Sequence, residues 1–114
     1  MKQSNQKLKS FLVYRYLMEN SDENHCLSAT NIIGYLKEHY GMTAEERSIY
    51  RDIYDLNVLL YRFDFPDEEM ETIWQEIEEF EEAGDNSWKA IVYDGSRKGY
   101  YVRHREYDLD AVRT

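Results

Sequence analysis

Apolar residues along this chain fall into four stretches of helical period, followed by two runs of strand-forming residues. The clearest stretch is residues 41–60, GMTAEERSIYRDIYDLNVLL. At about 100° per residue, Ile49, Ile53, Leu56 and Leu60 share one stripe, which predicts a buried helix face. Thr43 followed three residues later by Glu46 has the form of a capping box, so the predicted helix runs over 43–60. Its opposite face carries Ala44, Arg47, Arg51 and Asp55, with Ser48 and Tyr54 at the margins. Just upstream, Ala29, Ile32, Ile33, Leu36 and Tyr40 repeat at helical spacing behind Ser28, a good N-cap, and ahead of Gly41, which suits a left-handed C-cap. Only Gly41 and Met42 then separate the two predicted helices, the spacing of a helix-turn-helix.

The remaining elements follow from the same reading. A first helix is expected over Gln6–Glu19, with Leu8, Phe11, Leu12, Arg15, Tyr16 and Met18 forming a broad, partly apolar band. Residues 20–25, NSDENH, read as a polar loop, and His25-Cys26-Leu27 as a short strand. Met70, Ile73, Trp74, Ile77 and Phe80 predict an acidic amphipathic helix over 66–83, opened by Pro66 and closed by Gly84. Trp88–Asp94 and Tyr100–Tyr107 are rich in β-formers and flank the basic loop GSRKG at 95–99, which predicts a β-hairpin. Asp108 is placed to cap a further helix carrying Leu109 and Val112, as at the start of a linker or of a next domain. The expected class is mainly α (α+β). It is a winged helix-turn-helix with a three-helix core, an extra acidic helix inserted at 63–87, and a C-terminal two-stranded wing, all in one domain over 1–114.

Composition sharpens this picture at two points. Apolar content of 42% with 15% aromatics fits a folded domain rather than a disordered chain, and 114 residues leave little room for a second domain. No apolar run approaches the roughly 20 residues of a membrane span, residues 1–10 lack a signal-peptide core, and the lone Cys26 suits a reducing cytoplasm. The net charge of −9 argues at first against nucleic acid, but it is unevenly placed. Residues 1–62 hold 8 basic and 8 acidic side chains, residues 63–87 hold 0 and 11, and residues 88–114 hold 6 and 4. All the excess acidity therefore lies in the predicted insertion, and the rest could meet DNA.

Four constellations carry candidate chemistry. Arg47, Ser48 and Arg51 on the outer face of the third helix can read guanine or neutralise phosphate. Taken alone they fit a solvated face equally well, with Arg51 paired to Asp55 one turn on. Ser96, Arg97 and Lys98 at the hairpin tip can reach phosphates or the minor groove, although polar tips are also ordinary turn chemistry. In both cases the succession of tight turn, helix and basic hairpin tips the balance toward DNA. Tyr50 is placed either to pack at the core edge or to give its hydroxyl to a phosphate, while Tyr54 is expected in the core. The acidic helix is expected to complete the core or a dimer interface; the sharper alternative is that its glutamates tune access to the arginine face. The basic start of the first helix, Lys2, Lys7 and Lys9, opposes the helix dipole and reads as fraying rather than as a phosphate contact. His25, His39, His104 and Cys26 lack metal-ligand spacing and no phosphate-cradling glycine loop occurs, so neither enzyme activity, metal nor cofactor is expected.

At SIYRDI (48–53), GYYV (99–102) and EYDL (106–109) the chain resembles a known family. It is similar to the N-terminal winged helix-turn-helix of bacterial transcription regulators that carry a C-terminal WYL ligand-sensing domain, a DeoR-like group. The resemblance covers roughly residues 7–62 and 88–112, and the Tyr-Arg-Asp of the third helix is typical of that family. It implies sequence-specific binding of double-stranded DNA, with the recognition helix in the major groove and the wing at 95–99 on the backbone. Thr43, Ala44, Arg47, Ser48, Tyr50 and Arg51 fall on the recognition helix, and Ser96, Arg97 and Lys98 on the wing. The implied partners are a homodimer mate and a sensing domain outside this chain. The acidic segment 63–87 stands where that family has a shorter connection. A rival expectation follows from it: a winged-helix protein-interaction or dimerisation module that works through helix 66–83.

Overall fold

The computed structural model describes residues 4–103, with side chains from Lys7 onward. Its elements are helices α1 (Ser4–Asn20), α2 (Ala29–Tyr40), α3 (Glu46–Asp64) and α4 (Met70–Glu82), then strands β1 (Ile91–Asp94) and β2 (Gly99–Val102). The architecture is mainly helical with one antiparallel hairpin, an α+β arrangement. Among the described residues no helix is long and apolar enough to cross a membrane.

In α1 the buried apolar residues are Leu12, Val13 and Leu17, whereas Leu8, Phe11, Arg15 and Met18 point outward. The expected band is therefore rotated by about one residue. Lys9 is the reason. It is buried, ion-paired to Asp52 of α3 and bonded to Ser48 Oγ (3.2 Å), while Ser10 Oγ donates to Asp52 (3.1 Å). Turning residue 9 inward carries 13 and 17 with it, since residues four apart share a face. Lys9 thus joins two helices and is not part of a frayed basic start.

α2 begins and ends where expected. Ser28 Oγ accepts the Asn31 N–H and the Asn31 side chain accepts the Ser28 N–H, both at 3.0 Å, which satisfies two otherwise orphaned donors. Gly41 takes φ 64°, a conformation other residues rarely adopt, and its N–H reaches Lys37 O (3.0 Å). The next element departs from expectation. α3 starts at Glu46, not Thr43, and Glu45 is its N-cap with no side-chain cap bond. The capping box at Thr43 does not form because Met42 is drawn into the core and Ala44 packs against it. That anchoring keeps residues 41–45 out of the helix, and α3 instead continues to Asp64.

Two apolar clusters hold the fold. The larger joins α1, α2, α3 and Ile91 of β1; the smaller joins Val58 and Tyr61 of α3, Ile73 and Ile77 of α4, and Trp88. α4 begins at Met70 rather than Pro66, because residues 65–69 form the turn that reverses the chain, with Glu68 N–H bonded to Phe65 O (3.1 Å). Ile73 and Ile77 face α3, but Met70 and Trp74 face solvent, so the buried stripe of α4 is narrower than expected.

β1 and β2 pair from Ile91↔Val102 to Asp94↔Gly99. Residues 88–90 lie before the strand, Arg103 follows it, and the expected strand residues 104–107 and helix from Asp108 lie outside the described residues. The expected strand at 25–27 is reduced to two isolated bridges, His25 with Asp22 and Leu27 with Tyr100. Leu27 and Tyr100 exchange both backbone bonds, at 2.8 and 2.7 Å. The contact needs Gly99: a Cβ there would meet Cys26 Cβ at 2.7 Å.

Candidate nucleic-acid interface

Arg47 and Arg51 lie one turn apart in the first half of α3, both exposed. Neither has an ion-pair or hydrogen-bond partner among the described side chains, and Arg51 is not paired to Asp55. Two cations on one helix face repel weakly, and no described side chain offsets that repulsion.

The other residues expected on this helix are placed differently. Ser48 is half-buried; its hydroxyl donates to Glu45 O (3.0 Å) and accepts from Lys9. Thr43 is exposed but precedes the helix, and Ala44 is half-buried against the main cluster. Tyr50 is exposed, with its hydroxyl 3.4 Å from Glu46 and its ring 6.2 Å from that of Tyr100 on β2. Tyr100 in turn meets Tyr93 of β1 at 5.0 Å. This row of three tyrosines sets the hairpin beside α3, on the flank next to Arg47. Burial first, and then the neighbouring Tyr50 and Tyr93, push the Tyr100 hydroxyl up to about 12, so it stays neutral.

At the hairpin tip the three expected residues divide. The Asp94 carboxylate accepts from the Ser96 hydroxyl (2.7 Å) and from Arg97 Nε (2.8 Å), and these two bonds hold it well below the usual carboxylate range. Arg97 also donates to Glu23 O (2.7 Å) and lies over the Tyr101 ring at 5.7 Å. Its guanidinium therefore ties the tip to the loop after α1. Lys98 has left-handed backbone, φ 57°, closes the turn through its N–H to Asp94 O (2.7 Å), and projects its ammonium outward without a partner among the described residues.

Two positioning residues had no sequence signal. Asn57 is buried in the apolar stripe of α3, where it donates to Ile91 O (3.0 Å) and accepts from Ile91 N–H (2.7 Å). Its amide acts as a third strand against β1. Lys9 read as part of a basic start, and only its contact with Asp52, 43 residues away, shows its place.

Among the described residues no group of three or more His, Cys, Asp or Glu could hold a metal. The face that emerges is two outward arginines, a tyrosine row whose outer members Tyr50 and Tyr93 are exposed, and one outward lysine. No family model, curated protein or solved structure matches the chain.

Proposed function

We propose that this chain binds double-stranded DNA as a winged helix-turn-helix, with the first turns of α3 entering the major groove and the hairpin resting on the backbone. The observation that carries the reading is the Arg47/Arg51 pair, exposed and unpaired beside a hairpin whose tip presents Lys98. Arginine can grip guanine or a phosphate through two bonds, and a side chain already held by a neighbouring carboxylate could do neither well. Arg47 and Arg51 take the base-reading role and Tyr50 and Lys98 the phosphates. Ser48 and Arg97 orient the helix and the tip from within the chain. One recognition helix covers one groove segment, so a homodimer on a paired site in the cytoplasm, acting in transcription regulation, completes the proposal.

The test is an anisotropy titration against a pool of promoter-region duplexes at two salt concentrations. The expected result is salt-sensitive binding that Arg47→Ala/Arg51→Ala removes. Lys98→Gly keeps the left-handed turn and should lower the slope of log affinity against log salt by about 1. Failure of the folded wild type to bind any duplex at low salt sinks the proposal. A second reading, a protein-interaction module, draws on Trp74, which is 47% exposed on the acidic α4. A salt-insensitive protein complex that Trp74→Ala disrupts would favour it.

A further inference from the structure

The outward face of α1 carries Leu8, Phe11, Arg15 and Met18, separated by three, four and three residues. Alternating steps of three and four are the spacing of a seam along which one helix packs on another. Here the seam faces outward, with Phe11 58% exposed. α3 widens the same face. Leu59 and Phe63 lie one turn apart, with Phe63 62% exposed, and an apolar cleft of about 300 Å³ between Phe11, Tyr14, Leu59 and Phe63 joins the two helices. Leu8, Phe11, Met18, Leu59 and Phe63 are each about half exposed, which leaves roughly 500 Å² of apolar surface uncovered. A standard interface buries about 800 Å² per partner, about 60% of it apolar, so this face has the apolar area that a stable dimer needs.

Charge selects the occupant. A chain of net charge −9 repels its own copy wherever acid faces acid, so two copies meet best on a face without net charge. The seam's single charge is Arg15, and Glu19 neutralises it at 3.0 Å. Arg15 also sets the direction. Leu8 and Met18 lie five residues either side of Val13, and Phe11 and Arg15 two. A two-fold axis level with Val13 therefore lays α1 antiparallel on its copy with every seam position matched. Leu8 meets the partner's Met18, and Phe11 meets the partner's Arg15, a guanidinium over an aromatic ring. A parallel pair would instead set Arg15 against the partner's Arg15, two like charges in contact. We infer that α1 packs antiparallel on α1 of a second copy, with Leu59 and Phe63 of α3 closing the flank of the seam. The contact uses neither Arg47, Arg51 nor the hairpin, so the inference stands without the DNA reading.

The experiment is sedimentation equilibrium on the full chain without DNA, in about 0.15 M salt to screen the net charge. The expected species at about 50 µM is a dimer, since interfaces of this size bind at micromolar affinity or tighter. Phe11→Glu/Phe63→Glu, both at exposed positions, should raise the dissociation constant at least about 30-fold, with the far-UV circular dichroism of the wild type. Disulfide trapping in a Cys26→Ser background reads the direction. Leu8→Cys mixed with Met18→Cys should cross-link, and Leu8→Cys alone should not. If the glutamate pair unfolds the chain, the cross-links decide alone. A wild type that stays monomeric overturns the inference. So does a dimer that Trp74→Ala dissolves and Phe11→Glu/Phe63→Glu leaves intact, and so does Leu8→Cys cross-linking to itself.

Discussion

Asn57 does at residue scale what the apolar stripe around it cannot. A leucine there would continue the hydrophobic pattern, but it would leave the Ile91 N–H and C=O, both now bonded to the Asn57 amide, without partners. An unpaired buried backbone group loses its hydration without replacement, so Asn57→Leu should destabilise the fold by about 2–3 kcal/mol despite adding apolar surface. Urea unfolding should show a lower midpoint with an unchanged slope; equal or higher stability would mean that the bonds to β1 carry no weight. Asp94 gives a second prediction at this scale. Its charged form is favoured in the folded hairpin, chiefly by the Ser96 hydroxyl and then by Arg97. The stability it contributes is therefore complete above the ordinary aspartate value of 3.8 and is lost only as pH falls through the lower folded value. A carboxyl NMR titration should place Asp94 below 3.8, and Asp94→Asn should speed amide exchange at Ser96 and Arg97. An Asp94 that titrates at its ordinary value would remove this account of the tip.

Elements differ in how far local chemistry decides them, and the junction of α3 with α4 is the case with a measurable pH signature. Burial, followed by its hydrogen bond to Glu76 (2.9 Å), pushes the Tyr61 hydroxyl from 10.0 up to about 12. The fold prefers the neutral phenol, so this contribution is whole below 10 and drains away as pH rises toward 12. In a Trp74→Phe background, the fluorescence of buried Trp88, whose ring lies 6.1 Å from that of Tyr61, should report the alkaline loosening. Tyr61→Phe should move that transition to higher pH; an unmoved transition would assign it elsewhere, with Tyr100 the next candidate. Legibility from sequence follows the same division between local and distant causes. α2 was readable because Ser28 and Gly41 act on their own neighbours, and the hairpin because two glycines bracket its basic turn. The start of α3 was not, since Thr43 and Glu46 imitate a cap that the burial of Met42 prevents. The facing of α1 was not either, because a lysine turned inward by a partner 43 residues away carries no periodic signal. At the candidate site, Arg47 and Arg51 stood out as outward by position alone. The inward engagement of Ser48 and Arg97 depended on Lys9 and Glu23, which only the tertiary fold brings near.

For the molecule as a whole, the question is how a chain of net charge −9 can hold a polyanion. Of the eleven acidic residues of 63–87, Asp64 ends α3 and the other ten lie on α4 and its flanking turns, and α4 packs on Val58 and Tyr61, in the second half of α3. On a helical wheel Arg47, Arg51 and Val58 fall within about 40°, so α4 covers the continuation of the flank that carries the arginines. From Arg47 to Val58 the helix rises about 16 Å. That exceeds the screening length of about 8 Å at physiological salt but lies well inside the roughly 30 Å at 0.01 M. If the first turns of α3 meet DNA, α4 repels the phosphates beyond them at low salt and is nearly silent at physiological salt. Replacing Glu78, Glu81 and Glu82, all exposed, by glutamine should therefore raise duplex affinity several-fold at low ionic strength and far less near 0.15 M. Arg47→Ala/Arg51→Ala should weaken it at both. The two effects differ in their salt dependence because one removes repulsion at a distance and the other removes contacts and their released counterions. An affinity indifferent to the glutamine substitutions at every salt concentration would place α4 away from the DNA, and its exposed Trp74 would then point to a protein partner instead.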